Sequence, residues 1–259
     1  MKRYAILFSY DGSKFYGWQR QVQSPTVQEC IENALFRIAK KTVKVVSAGR
    51  TDTGVHALGQ VAHFDIDLCI PPHKFVLALN SYLGHFIKVI DLVEVSNDFH
   101  ARYDAILRVY KYIITLNRTP FNYHYKSYFP RYLIDIEKFQ GCIDYFLGEQ
   151  DFTSFSKPNP DVTNHVCDVK KLTIDLIDDD IVIEITANRF LHHMVRRVIG
   201  ALLSVSHKSL DPSIIKNWIE NKKHNQRNYS TATPNGLYLS KIIYPHEKVI
   251  FSAKVMELK

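Results

Sequence analysis

Asp52 is the residue whose setting best suits a reactive group. It lies in Gly49-Arg50-Thr51-Asp52-Thr53-Gly54-Val55-His56-Ala57, one carboxylate between two glycines, with an arginine two positions before it. A carboxylate can act as a covalent nucleophile in sugar-transfer chemistry when it is held still and the substrate approaches closely. Glycine permits such an approach because it reaches backbone conformations closed to other residues. The plain alternative is a polar hairpin, since Gly and Asp are ordinary turn residues.

The elements around this run must do the positioning. Strand-like residues 42–48 lead in and 60–66 lead out, so a tight loop between two strands is predicted. A second chemical group, Arg196, lies on a helix predicted by the stripe of Leu191, Met194, Val195, Val198, Ile199 and Leu202 at helical spacing. Arg189, His193, Arg196 and Gly200 fall three and four apart, which predicts one polar flank of that helix. Tyr110 and Tyr112 share one face of a strand at 109–116 by alternation.

The remaining pattern is strand, helix, strands, written twice. The first half has a strand at 4–10 and a helix opened by a capping box, Thr26 with Glu29. Strands near 43–48, 60–66 and 86–95 and a short helix near 72–80 follow. The second half has a helix at 136–147, stopped by Gly148, and a hairpin around Asp178-Asp179-Asp180. A further helix starts at Asp211-Pro212, and a strand closes the pattern at 237–244. Two α+β halves, 1–105 and 106–259, are the economical reading. No Gly/Ser linker separates them, so a continuous sheet with helices largely on one face is expected.

Composition narrows the partners. Hydrophobic residues at 46% and charged residues at 23% are ordinary for a globular protein, and no apolar run approaches a membrane span. Four scattered cysteines argue against a zinc ribbon or disulfide framework and fit a reducing cytoplasm. The net charge is +7, with 12 Lys/Arg against 10 Asp/Glu up to residue 105 and 21 against 16 after it. A basic chain with 15 Tyr and 15 Phe suits a nucleic-acid partner. Residues 118–132 concentrate Phe121, Tyr123, Tyr125, Tyr128, Phe129 and Tyr132 with Arg118, Lys126 and Arg131. A second basic run is Lys222-Lys223-His224-Asn225-Gln226-Arg227. Either run could meet RNA or serve an interface.

The Asp52 loop resembles the signature of the tRNA pseudouridine synthase A family. Further blocks carry the resemblance: Tyr10-Asp11-Gly12-Ser13-Lys14-Phe15-Tyr16-Gly17-Trp18-Gln19-Arg20-Gln21, Asp98-Phe99-His100-Ala101-Arg102, Tyr110-Lys111-Tyr112 and Gly148-Glu149-Gln150-Asp151-Phe152-Thr153-Ser154-Phe155. Phe190-Leu191-His192-His193-Met194-Val195-Arg196 and Gly236-Leu237-Tyr238-Leu239 complete it, so nearly the whole chain is covered. Thr53 stands where alanine is common and Ala57 where glycine is also seen, which removes no reactive group.

The resemblance implies a fold, a reaction and roles. The fold is α+β, two related sandwich halves in one long, mainly antiparallel sheet around a basic cleft. The reaction is isomerisation of uridine to pseudouridine at positions 38, 39 and 40 of the tRNA anticodon stem-loop, without cofactor or metal. Asp52 would be the nucleophile, attacking either the ribose C1′ or the uracil C6. Arg196 would hold its charge and orientation, and Tyr110 would stack on the displaced uracil and help remove the C5 proton. Arg50 would help extrude the nucleotide or brace the loop, and Leu237 would wall the base, with Arg189 and His193 alongside the substrate. Arg197 is expected at a phosphate or in solvent. His56, His192 and His193 do not make a recognisable metal set. The implied partners are tRNA and a second copy of the chain. Rival readings are a non-catalytic RNA-binding protein or RNA chaperone, and a nucleosidase that releases free base.

Overall fold

The structure, a computed structural model, describes residues 1–224, 228–253 and 255. It is an α+β protein in two compact units, residues 1–107 with 238–259, and residues 108–237.

In the first unit, β1 (Lys2–Tyr10) lies between β3 (His56–Ile66) and β4 (Ile87–Val95), antiparallel to both. Its centre, Tyr4-Ala5-Ile6-Leu7-Phe8, is buried without alternation because both faces are covered. The short β2 (Val46–Ser47) pairs with β3, and β10 (Leu237–Ile243) adds a parallel pair, Tyr238 beside His56 and Leu239 beside Ala57. Helix α1 (Val27–Ala39) buries Val27, Ile31, Ala34 and Leu35, a stripe at helical spacing, and packs against α2 (Pro72–Leu83), which lies along β4.

One irregularity positions the loop. Phe8 pairs with Gln60, but Tyr10 pairs with Ala57, so β3 carries an extra residue between these pairs. Such a bulge bends a strand and re-aims what precedes it. What precedes it is the Asp52 loop.

The second unit orders β5 (Leu107–Thr115), β9 (Asp180–Ala187), β8 (Val166–Ile177) and β7 (Gly148–Asp151), all antiparallel, with β6 (Ser127–Tyr128) parallel to β5. The predicted hairpin joins β8 to β9, with Asp178 in the left-handed region at φ 54°. Helices α3 (Ile136–Gly141) and α5 (Met194–His207) pack together, and α4 (Ile143–Phe146) and α6 (Ile214–Glu220) lie nearby.

Five local expectations change. The helix expected at 136–147 breaks at Cys142, between α3 and α4. The strand expected at 43–48 pairs only over Val46–Ser47, whereas β3 begins four residues earlier than expected, at His56. Asp211 and Pro212 form a turn before α6, with Asp211 Oδ1 accepting from Ser213 N–H at 2.9 Å, and the helix starts at Ile214. Thr26 is the N-cap of α1 but makes no capping bond; its hydroxyl is buried without a hydrogen-bond partner, and Glu29 pairs with Arg20 at 3.3 Å.

Candidate active site

The Asp52 loop is held by backbone hydrogen bonds to the N-terminal block and within itself. Trp18 N–H donates to the Thr51 carbonyl at 3.1 Å, Gly54 N–H to the Phe15 carbonyl at 3.4 Å, and Val55 N–H to the Asp52 carbonyl at 3.2 Å. Two glycines of the N-terminal block make this approach possible. A Cβ on Gly12 would stand 2.0 Å from the Val55 carbonyl oxygen, and one on Gly17 would stand 2.8 Å from that of Thr51. Gly54 takes φ +79°, the left-handed turn the loop needs, while Gly49 has open space around it and no such φ. The glycines that matter most to Asp52 are therefore in the other motif.

Side chains complete the clamp. The Tyr10 hydroxyl is 2.7 Å from Thr51 Oγ1, and burial pushes the Tyr10 phenol up to about 12, so it stays a neutral partner. Gln60, fully buried, donates to the Gly49 carbonyl at 2.9 Å, and Ser47 Oγ donates to the same oxygen at 3.1 Å. Gly12 N–H donates to His56 Nδ1 at 3.1 Å, and the His56 ring stacks on Tyr238 at 4.8 Å. His56 thus ties the loop to the sheet. Asp52 itself is half-buried and Arg50 is exposed.

In the second unit, Tyr110 is buried on β5 and meets the Phe190 ring edge-on, centroids 5.1 Å apart. Tyr112, on the same face, is 1% exposed, and its hydroxyl donates to the Thr233 carbonyl at 2.9 Å, a packing and anchoring role. Arg196 is half-buried on the first turn of α5, and its Nε donates to the Ala232 carbonyl at 2.7 Å. The predicted polar flank is shorter than its spacing suggested. α5 begins at Met194, because His193 turns the chain with φ +64° just before it, so Arg189 and His193 precede the helix. Gly200 is buried rather than on a polar face.

Arg197 differs from expectation. It is half-buried, with Nη1 donating to the Ser156 carbonyl at 2.5 Å, and burial lowers its pKa. It braces the segment after β7 rather than extending freely into solvent. Leu237 is 4% exposed at the start of β10.

A family model described as tRNA pseudouridine synthase matches residues 6–104 and 142–245. The chain belongs to that family. The chain is 40% identical to "tRNA pseudouridine synthase A" of Prochlorococcus marinus subsp. pastoris, over 94% of this chain and 91% of that protein. It is 38% identical to the protein of the same name from Buchnera aphidicola subsp. Acyrthosiphon pisum, over 95% and 92%.

The matched spans hold Asp52, Arg50, Arg189, His193, Arg196 and Leu237, while Tyr110 and the aromatic run at 118–132 lie between them. In that run Phe121 and Tyr132 are 92% and 85% exposed, Arg118 stacks over Tyr123 at 4.7 Å, and Lys126 pairs with Asp180. Of the second basic run, Lys222 pairs with Asp151 at 3.5 Å, and Asn225, Gln226 and Arg227 lie outside the described residues. No helix among the described residues is long and apolar enough to cross a membrane.

Sequence reasoning missed Tyr10, Gly12, Gly17 and Gln60 as supports of the loop. The first three carry a signal, since they sit in the N-terminal block that accompanies the Asp52 motif.

Proposed function

We propose that this protein converts uridine to pseudouridine at positions 38, 39 and 40 of the tRNA anticodon stem-loop, with Asp52 as nucleophile. The protein is an isomerase of the pseudouridine synthase family. The observation that carries the residue assignment is the Asp52 backbone, clamped by Phe15 and Trp18 on one side and continuing into β3 on the other. A reacting group needs such fixed placement, because small misplacements cost large factors in rate.

The reaction balances without an outside reagent. The C1′–N1 bond breaks, a C1′–C5 bond forms, C5 loses its proton and N1 gains one. The carboxylate attacks at C1′ or at C6 and is released unchanged. Arg196 serves as its cationic partner. Tyr110 stacks on the displaced uracil and helps to remove the C5 proton. Leu237 keeps water from the base, Arg50 assists extrusion, and Arg189 and His193 line the substrate path. A cytoplasmic homodimer in which one tRNA spans both subunits completes the reading. The four free cysteines agree with a reducing compartment.

The test uses tRNA tritiated at uridine C5. Wild-type protein releases label, and Asp52→Ala does not. Release by that variant at the normal rate removes Asp52 from the mechanism. Free uracil with abasic RNA would indicate a nucleosidase, and binding without release a non-catalytic RNA-binding protein.

A further inference from the structure

Residues 230–236 lie as a strap with ties to two elements that carry candidate site residues. Toward α5, Arg196 Nε–H donates to the Ala232 carbonyl at 2.7 Å, and Ala232 N–H returns to the Arg196 carbonyl at 3.0 Å. One turn later, Gly200 lets the strap touch the helix. A Cβ there would stand 1.7 Å from the Ser230 carbonyl oxygen. Toward β5, the Tyr112 hydroxyl donates to the Thr233 carbonyl at 2.9 Å, and on the adjacent β6 Ser127 Oγ lies 3.0 Å from Thr233 Oγ1. Asn235 Nδ2 donates to the Tyr123 and Lys126 carbonyls, each at 2.8 Å. Gly236 closes the strap against β5, where a Cβ would be 2.6 Å from the Ile113 carbonyl oxygen. Leu237 follows directly.

We infer that this strap positions the Arg196 guanidinium relative to Tyr110 and Leu237, with Gly200 and Tyr112 as positioning residues that act through the Ala232 carbonyl. A guanidinium is planar, and its Nε–H and Cδ–Nε bonds both lie in that plane, so fixing the direction of Nε–H on a side chain anchored in α5 sets the plane of the whole group. The strap is poorly suited to a packing role. Among residues 230–235 only Ala232 is buried, so the segment adds little apolar contact to the core. Its ties are polar or backbone to backbone, and they run to the strand of Tyr110, with β6 and the segment before it, on one side and to Arg196 itself on the other. The inference rests on the proposed role of Arg196 in the isomerisation.

The experiment compares Tyr112→Phe and Gly200→Ala, each alone and combined with Arg196→Lys, which keeps the charge and loses the guanidinium plane. The readouts are single-turnover release of label from C5-tritiated tRNA, tRNA affinity by filter binding, and Tm. Tyr112→Phe removes the hydroxyl that bonds the Thr233 carbonyl and Oγ1 and should slow turnover about 3–10-fold. Gly200→Ala displaces the strap and should slow it about 30-fold or more. In both, tRNA affinity should stay within about 2-fold. In the Arg196→Lys background neither substitution should slow the reaction further, because the residue through which they act is already altered.

Additive losses in that background, or a lowered Tm with an unchanged rate, would overturn the strap's role while leaving Arg196 in place. A wild-type rate for Arg196→Lys would instead overturn the assignment of Arg196, and the strap's catalytic purpose with it. If Gly200→Ala does not fold, the Tyr112→Phe cycle still decides the question.

Discussion

Gly17 and Thr51 are packed backbone to backbone. Gly17 takes φ +87°, and a Cβ on it would lie 2.8 Å from the Thr51 carbonyl oxygen, which also accepts Trp18 N–H at 3.1 Å. Asp52 is the next residue after that carbonyl, so its position is set by a contact that only glycine allows. Gly17→Ala should cost about 1–3 kcal/mol from the left-handed backbone alone. Because the displaced group is the loop backbone, label release should fall about 100-fold while tRNA binding is retained. Urea denaturation and tritium release on the same preparation check both. A stable variant with full turnover would show that the loop is not held from this side.

The Tyr10 hydroxyl and Thr51 Oγ1 form a second, gentler tie at 2.7 Å, with Tyr10 5% and Thr51 8% exposed. Tyr10→Phe leaves the threonine hydroxyl buried and short of one partner, which should lower stability by about 1–2 kcal/mol. Thr51→Val in the same background should recover part of that loss, since both polar partners are then gone. Chemical denaturation of the single and double variants measures it. A Thr51→Val effect that is the same with and without Tyr10→Phe would mean that the pair does not interact.

These two ties show what a linear pattern reveals and what it hides. The Asp52 run, the strand into which it feeds, and the α1 and α5 stripes were legible because periodicity and glycine placement are local properties. The clamp was only half legible. Gly12 and Gly17 stand in a recognisable block, yet nothing local says that their missing side chains make room for Val55 and Thr51. The parallel pairing of Tyr238 and Leu239 with His56 and Ala57 and the strap carbonyls of Ala232 and Thr233 were not legible. A backbone oxygen has no residue type, so no spacing rule can report what it accepts. The Thr26 capping box misled for a related reason, because the motif names the groups but not where Glu29 finds its charge partner.

The first unit contains a histidine whose protonation opposes folding. Burial foremost, with Arg3 and His100 adding to it, pushes the His63 pKa down to about 4, against smaller opposing effects of Asp65 and Asp104. The geometry agrees, since His63 Nδ1 accepts the Ala101 N–H at 3.1 Å and cannot do so when that nitrogen carries a proton. The unfolded side chain titrates near ~6.5. Below that value the unfolded chain gains a proton that the folded one refuses, so this stability is complete above pH ~6.5 and drains away toward pH 4. His100 is shifted in the same direction, also chiefly by burial. Asp65, lowered by its hydrogen bonds to Arg3, loses its contribution at more acid pH, below the ordinary carboxylate range. Urea midpoints should therefore fall between pH 7 and 4.5, with His63 accounting for about 1–2 kcal/mol. His63→Gln, which keeps an acceptor without the titration, should flatten that slope, and His100→Gln should flatten it less. A wild-type midpoint constant across this range would contradict the account.

Thr26 gives a test in which the sign alone decides. As a working N-cap its hydroxyl would stabilise α1, and Thr26→Val would cost about 1 kcal/mol. The structure instead leaves Thr26 Oγ1 buried without a hydrogen-bond partner, at a residue with extended backbone, φ −130°. An orphaned buried hydroxyl is itself a cost, and a methyl group of similar shape removes it. Valine also accepts an extended backbone without strain. Thr26→Val should therefore leave stability unchanged or raise it by up to about 1 kcal/mol, and thermal denaturation of the two proteins side by side measures the difference. A loss of the size expected for a broken cap would show that the hydroxyl does bond to the first turn of α1 in solution.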